Sequence, residues 1–362
     1  MLYLDANATE PLRPAAREAA LAAMELTGNP SSAHRAGRVA RRVLESAREA
    51  VATRFEASPA AVVFTSGGTE ANALAIQGLG TGRRVLVGAT EHPAVTAAAP
   101  AAERLPVRRD GTVELDALEA ALREGAPALV CLMAANNETG VLHPLGEVAA
   151  LCRAAGAILH VDAVQAAGRV PVALSASGAD SLAVSGHKLG GPKGAGALLL
   201  RPGLHPAAII RGGGQERGRR GGTEPLPAIA GLAAGLGEAT PEAAAKLAVL
   251  RDALEAACVR AGALVAGFGA PRLPNTTCLI LPGVPAETQV IALDLAGVAV
   301  SAGAACSSGK VARSHVLEAM GYGKESGCAI RVSLPWNAPD DAAEQFAVAW
   351  SAMRARLSRA AA

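Results

Sequence analysis

Short apolar runs alternate with Ala-rich amphipathic stretches along the first two-thirds of the chain. Six runs have the length and side chains of β-strands: Ala61–Thr65, Arg84–Gly88, Ala128–Met133, Ile158–Asp162, Ser181–Ser185 and Gly196–Leu200. Helical patterns such as Glu70–Leu79 and Leu145–Ala155 lie between them. This alternation predicts an α/β fold with a mostly parallel sheet, in which ligands bind at the carboxyl ends of the strands.

The chain has 362 residues, which suggests about two domains. The Gly/Arg-rich segment Arg211–Gly222 has neither a helix nor a strand period. A long helical pattern, Thr240–Ala261, then leads towards a second, smaller domain. That domain would contain the following segments: Asn275–Leu281, Val290–Leu295, the Gly/Ser loop Ser301–Gly309 and a helix near Ala342–Leu357.

Composition excludes several classes of protein. The chain is 51% hydrophobic, so it can bury a sizeable core, and its net charge of +2 offers no electrostatic footprint for nucleic acid or a membrane surface. Its uncharged stretches are too short to span a bilayer. The six cysteines form no CxxC pair, which disfavours a metal site, and the first residues do not resemble a signal peptide. We expect a cytoplasmic protein with reduced thiols.

One lysine directly follows a predicted strand. The sequence SGHK places Lys188 just after Ser181–Ser185, where partial desolvation lowers the pKa of an amine and makes it a competent nucleophile. The chain has few other lysines: Lys193, Lys246, Lys310 and Lys324. Lys188 is therefore the best candidate for a Schiff base, although a strand-end lysine taken alone is more often a surface residue.

A carboxylate ends the strand before that one. Asp162 lies within HVDAVQ, and a carboxylate at this point can keep a pyridine nitrogen protonated, as an electron-sink cofactor requires. Gln165 can reach the same side. An aspartate in such a position is more often a helix cap or a turn residue. The nearby Lys188 favours the cofactor interpretation.

The glycine-rich turn TSGGTE joins the strand Ala61–Thr65 to a helix. Its backbone N–H groups and the helix N-terminus can hold a phosphate. The spacing matches neither GxGxxG nor GxxxxGK, so those dinucleotide and P-loop motifs are excluded. An ordinary capped turn explains this motif equally well when it is taken alone.

Four further residues have chemistry that suits a site. His92, in EHP, can stack on a flat ring and act as an acid or base, and Asn137, in NNETG, lies at the same predicted rim. Cys306 lies in a loop of small residues, where a thiol can reach solvent and ionise. Arg331, in the apolar stretch AIRVSL, suits a carboxylate. A structural histidine, an inert cysteine and a salt bridge are the alternatives.

Together these motifs resemble the cysteine desulfurases, the NifS/IscS-like branch of the class V aminotransferase family, which use pyridoxal 5′-phosphate (PLP). The matching motifs occur in order along the chain: YLDANAT, GNPSSAHRAGR, TSGGTEAN, EHPAV, NNETG, HVDAVQ, SGHKLGGPKG, GGGQERGRRGGT, SAGAACSSGK and IRVSL. The resemblance implies the fold type I architecture, with a mostly parallel mixed sheet flanked by helices and a smaller α/β domain. We expect the PLP-binding domain over residues 13–250, and the small domain from residues 1–12 and 251–362.

The resemblance also implies roles for individual residues. Lys188 would bind PLP covalently, His92 would stack on the ring and assist proton transfer, and Cys306 would accept sulfur. The other expected cofactor ligands are Asp162 for the pyridine nitrogen, Gln165 for the ring hydroxyl, Asn137, and Gly68, Thr69, Ser185 and His187 for the phosphate. Thr223 would reach the phosphate of the other subunit, which implies a homodimer. Asn137 and Arg331 would bind the substrate, Arg331 through its carboxylate.

The implied reaction converts L-cysteine to L-alanine and leaves a persulfide on Cys306. An acceptor protein would take the sulfur for iron–sulfur clusters or thio-cofactors. Two alternatives stay open within the class, a selenocysteine lyase and an aminotransferase with another substrate. A loop thiol is of no use to a transaminase. A non-catalytic scaffold is disfavoured because Lys188 and Asp162 are both present.

Overall fold

The computed structural model describes residues 1–125, 127–303 and 313–360. Its strands are β1 (Leu2–Tyr3), β2 (Val62–Thr65), β3 (Arg84–Gly88), β4 (Glu103–Leu105), β5 (Ala128–Met133), β6 (Ile158–Asp162), β7 (Ser181–Ser185), β8 (Gly196–Leu200), β9 (Leu264–Val265), β10 (Thr276–Ile280), β11 (Val298–Ala299), β12 (Ser301–Ala302) and β13 (Ala329–Ser333). Its α-helices are α1 (Pro14–Met24), α2 (Arg35–Arg54), α3 (Gly68–Leu79), α4 (Pro93–Thr96), α5 (Leu115–Leu122), α6 (Leu145–Ala154), α7 (Leu174–Ser177), α8 (Leu226–Glu238), α9 (Pro241–Arg260), α10 (Ala286–Leu295), α11 (His315–Ala319) and α12 (Ala342–Ala360).

The larger sheet has seven strands in the order β2-β8-β7-β6-β5-β3-β4. Strand β8 runs antiparallel to both of its neighbours, and the other pairings are parallel. Strands β5 to β8 are buried along their whole length, as expected for a sheet covered on both faces. The predicted α/β class and mostly parallel sheet are therefore confirmed.

The predicted strands match the observed ones closely. Five have the predicted bounds, and β2 begins one residue late, at Val62, because Pro59–Ala61 form a 3₁₀ turn. Helix α3 begins at Gly68, two residues before the predicted start, since the glycine-rich turn itself enters the helix. Helix α9 begins after Thr240, whose hydroxyl accepts a hydrogen bond from the N–H of Ala243.

A second group of strands lies in the last third of the chain. Strands β12, β13, β10 and β9 form an antiparallel sheet in that order, and β1 pairs in parallel with β11. Leu4, Phe346 and Trp350 are buried in one apolar cluster beside these strands. The N-terminal residues thus pack with the C-terminal third, whereas the predicted domain boundaries stay a prediction. No helix in the described ranges is long and apolar enough to cross a membrane.

Candidate active site

A cavity of about 240 Å³ lies at the carboxyl ends of β5, β6 and β7, beside the N-terminus of α3. Parallel strands end at the same edge of a sheet, so side chains that follow them converge there. The cavity is lined by these predicted residues: Gly68, Thr69, His92, Asn137, Asp162, Gln165, Ser185, His187 and Lys188. Most of the predicted site residues therefore line one cavity.

Lys188 enters the cavity from the end of β7. Residues Gly186–Lys188 form a single 3₁₀ turn that directs the side chain towards the N-terminal segment. Its Nζ donates hydrogen bonds to the carbonyl oxygens of Asn7 and Ala8, the latter at 2.9 Å. Burial, together with the charges of Arg331 and Arg169, lowers the pKa of Lys188 to about 7. A large share of this amine is therefore neutral, and nucleophilic, at neutral pH.

Asp162 ends β6, the parallel neighbour of β7, and is buried. Its Oδ1 accepts a hydrogen bond from the N–H of Val164 at 2.9 Å, and its Oδ2 accepts one from Nδ2 of Asn72 at 2.7 Å. Burial raises the pKa of Asp162, while these donors and the nearby His92 and Lys188 oppose the rise. The carboxyl group therefore faces the cavity with both of its oxygens held in place.

Gly68 and Ser185 give the cavity the features of an oxyanion site. A Cβ atom on Gly68 would lie 2.6 Å from Cγ2 of Val164, so only glycine fits at the start of α3 without a shift. The buried Oγ of Ser185 has no hydrogen-bond partner among the described residues. The first N–H groups of a helix also lack intrahelical acceptors. The turn that sequence reasoning left open therefore fits a phosphate.

His187 and His92 are both neutral bases at this edge of the sheet. Nδ1 of His187 lies 3.1 Å from Oγ1 of Thr9, and burial lowers the pKa of His187 to about 4. Nδ1 of His92 accepts the N–H of Ala94 at 3.0 Å as the cap of α4. Partial desolvation also lowers the pKa of His92. Its proton therefore lies on Nε2, which is left to donate.

Gln165 and Arg331 bind protein groups in this structure. Nε2 of Gln165 donates to the carbonyl oxygen of Asn7 at 3.0 Å. Arg331, on β13, is buried and forms an ion pair with Asp5 at 2.6 Å, and it donates to the carbonyl oxygen of Asn137 at 3.1 Å. Sequence reasoning missed Asp5, and the only signal for it was its place in the motif YLDANAT.

Among the described residues, the predicted Arg331 and Thr223 are not part of the cavity lining. Thr223 is exposed and lies outside the lining of its own chain's cavity, so its expected contact with a second subunit stays a prediction. Cys306 lies outside the described residues. Its expected role as sulfur acceptor stays a prediction as well.

The Gly/Arg-rich segment before Thr223 is anchored by a buried ion pair. Both oxygens of Glu216 accept hydrogen bonds from Arg48 of α2, at 2.7 and 2.8 Å, and one of them also accepts the N–H of Phe64 in β2 at 3.0 Å. Glu216 and Arg217 adopt positive φ values of 47° and 59°. The carboxylate of Glu216 therefore ties the segment to both α2 and β2.

Two more buried acids near the site were missed. Oε1 of Glu91 accepts the N–H of Met133 at 2.6 Å, and burial raises its pKa well above the usual value. Oε2 of Glu138 accepts the hydroxyl of Ser314 at 2.5 Å, and burial raises its pKa too. Both lie inside recognised motifs, EHP and NNETG, but nothing in the local sequence distinguishes a buried acid from an exposed one.

The family model of the class-V aminotransferases matches residues 2–346, so the chain belongs to that family. A cysteine desulfurase of Cereibacter sphaeroides is 44% identical over 337 residues, which cover 88% of this chain and 86% of the relative. An IscS-like cysteine desulfurase of Mycobacterium tuberculosis is 38% identical over 344 residues, covering 89% and 88% of the two chains.

The solved structures agree with the sequence relatives. A NifS-like protein from Rickettsia africae superposes with a TM-score of 0.91 at 32% identity, covering 98% of this chain and 99% of that one. The predicted fold type I architecture and the resemblance to the NifS/IscS-like branch are thereby confirmed. These comparisons favour a desulfurase over the other activities considered for the class.

Proposed function

We propose that this protein is a PLP-dependent cysteine desulfurase, which converts L-cysteine to L-alanine and takes up the sulfur on Cys306. The observation that carries the proposal is the pairing of Lys188 and Asp162 in one cavity. A partly neutral amine and a buried carboxylate project from the ends of two adjacent parallel strands. That is the pair of groups that covalent attachment and polarisation of a pyridine aldehyde require.

The residues present fit PLP. The unpartnered hydroxyl of Ser185 and the helix start at Gly68 suit its phosphate. The ligands we assign are Lys188 for the aldehyde carbon, Asp162 for the pyridine nitrogen, Gln165 for the ring hydroxyl, His92 for the ring face, Asn137 beside the ring, and Gly68, Thr69, Ser185 and His187 for the phosphate. When bound, PLP supplies an electron sink for negative charge on the substrate's α-carbon.

The chain's own residues supply binding and proton transfer. Arg331 binds the substrate carboxylate, with Asp5 and the carbonyl of Asn137 fixing its guanidinium. Lys188 then removes the α-proton as a neutral amine. Nε2 of His92 can donate a proton at the same edge of the sheet.

Cys306 performs the sulfur transfer. Its thiolate attacks the substrate's sulfur, so that an S–S bond forms and the substrate's C–S bond breaks. The electron pair of that C–S bond stays with the carbon, which is protonated to give alanine. The persulfide sulfur then passes to an acceptor protein or to an added thiol.

The proposal extends to the assembly of the protein. A homodimer would bring Thr223, which is exposed in the single chain, to the partner's phosphate site. A cytoplasmic location, an acceptor protein, and the absence of nucleic acid or membrane partners remain predictions drawn from the sequence.

Alanine release from L-cysteine, with a thiol reductant present, tests the proposal. We expect alanine from the wild type and little from Cys306→Ala. Cys328→Ala is the matched control, since Cys328 is a partly exposed cysteine in the same third of the sequence as Cys306, and it should keep wild-type activity. Equal rates from the wild type and Cys306→Ala would indicate a lyase mechanism. No alanine from PLP-loaded wild type would overturn the desulfurase function.

A further inference from the structure

Four buried side chains form a line of hydrogen bonds that ends at Asp162. Oγ of Ser181 lies 2.9 Å from Nδ1 of His160, and Nε2 of His160 lies 2.9 Å from Oδ1 of Asn72. Nδ2 of Asn72 in turn donates to Oδ2 of Asp162 at 2.7 Å. We propose that Asn72 and His160 are positioning residues that hold Asp162 ionised and aimed at the pyridine nitrogen, an inference that rests on the proposed function.

The ionised state of Asp162 fixes the direction of every bond in the line. A carboxylate only accepts, so Asn72 must present its NH₂ group to Asp162 and its carbonyl oxygen to His160. His160 must then donate from Nε2. Burial lowers the pKa of His160 to about 3, so the ring is neutral and Nδ1 accepts from the hydroxyl of Ser181. Each donor therefore points towards Asp162.

Protonation of Asp162 at Oδ2, the oxygen that faces Asn72, would reverse the direction. Its O–H would donate to the carbonyl oxygen of Asn72, whose NH₂ group would then need an acceptor on His160. The proton of His160 would move to Nδ1, which would donate to Ser181. The tautomer of His160 therefore reports the direction of the hydrogen bond between Asn72 and Asp162, although Asn72 separates His160 from Asp162.

These hydrogen bonds also oppose the effect of burial on the ionisation of Asp162. Burial alone favours the neutral form of Asp162. The hydrogen bonds from Asn72 and from the N–H of Val164 act in the opposite sense. A hydrogen bond to a charged group is stronger than one between neutral groups. Asn72 lines the cavity together with Asp162, so its amide forms part of the cavity wall beside the carboxylate.

The tautomer provides a direct test. Nitrogen-15 NMR of PLP-loaded protein, with His160→Gln used to assign the ring signals, should show a neutral His160 with its proton on Nε2. A proton on Nδ1, or a charged ring, would overturn the proposal. PLP binding and alanine release are measured on the same sample. A protein that shows the expected tautomer but makes no alanine would contradict the proposed function alone.

Variants test the consequence for the cofactor. Asn72→Leu keeps the branched shape but removes the donor, so we expect PLP to dissociate with a constant about 10-fold to 100-fold higher. The pH midpoint of the visible absorbance of bound PLP should also rise, because the ring nitrogen loses its stabilised positive charge. His160→Leu should act in the same direction, and His160→Gln, which can still donate to Asn72, should restore part of the effect.

His143 provides the matched control. It is another buried histidine of lowered pKa, its Nδ1 accepts the N–H of Val113, and it does not line the cavity. His143→Leu should lower stability without moving the absorbance midpoint or the PLP dissociation constant. If Asn72→Leu behaved like His143→Leu in both measurements, Asn72 would have a structural role only.

Discussion

The reactivity of Lys188 depends on neighbours that come from other segments of the chain. Its side chain is half-buried and bonded to two backbone carbonyls of the N-terminal segment, and two arginines add their charge. Burial and positive neighbours both disfavour an ammonium ion, so they act together on the pKa. The result is an amine that is ready to react before any cofactor arrives.

We predict that PLP attaches to the apoenzyme faster as the pH rises through about 7, the pKa of Lys188, because only the neutral amine reacts. The rate should level off above that pH. Arg331→Gln removes a positive neighbour and should move the midpoint to higher pH. Stopped-flow absorbance measures the rate, and Arg153→Gln, on an exposed surface of α6, should leave the midpoint unchanged. A flat profile between pH 6 and 9 would contradict the lowered pKa.

At the scale of residues, the sequence predicts the site side chains that directly follow a strand. It does not predict the side chains that come to the site from distant parts of the chain. Lys188 and Asp162 could be predicted because parallel strands end at one edge. Asn72 and His160 meet only when α3 packs across β6, and Asp5 meets Arg331 only after the chain's two ends come together. No local pattern carries that information.

At the scale of elements, the Gly/Arg-rich segment is a loop without a helix or strand period, and a buried ion pair anchors it. Glu216 binds Arg48 of α2 and the backbone of β2 at once, although the segment itself has no repeating pattern. The long strands were predictable because apolar runs end at polar residues. Strands β1, β9, β11 and β12 have two residues each, too few to show an alternating period.

We predict that Glu216→Gln lowers the free energy of unfolding by about 3–5 kcal/mol, because it removes the buried countercharge of Arg48 and leaves only the partly exposed Glu45 beside it. Chemical denaturation measures the change. Glu119→Gln is the matched control, since Glu119 pairs with Arg123 on the surface, where the side chains are 46% and 72% exposed. That variant should change stability by less than about 1 kcal/mol. Similar small changes in both variants would show that the buried pair does not anchor the loop.

At the scale of the whole molecule, the site draws on both groups of strands. The larger sheet carries Lys188 and Asp162, whereas Arg331 lies on β13 of the smaller sheet and is paired with Asp5 near β1. The proposed homodimer adds a further contribution, Thr223, which its own chain's cavity does not use.

We predict that mixed dimers of Lys188→Ala and Thr223→Ala chains contain one complete site. If Thr223 serves the partner's phosphate, the chain that keeps Lys188 receives an intact Thr223 from the other chain. That site should bind PLP with wild-type affinity, whereas Thr223→Ala homodimers bind it about tenfold or more weakly. Titration of differently tagged, co-purified chains measures this. Weak binding in the mixed dimer would place Thr223 in its own chain's site.

The pairing of β1 with β11 has a consequence for how the protein is made. Leu2 finds its strand partner, Val298, only when nearly the whole chain has been synthesised. At the usual pace of translation the first residues wait about 15–60 s for that partner. During that time the apolar side chains of Leu2 and Leu4 stay exposed to solvent. The carbonyls of Asn7 and Ala8, which bind Lys188, have no fixed position. All strands of the larger sheet precede Val298 in the chain, so the reactive lysine gains its final surroundings later than the sheet that carries it.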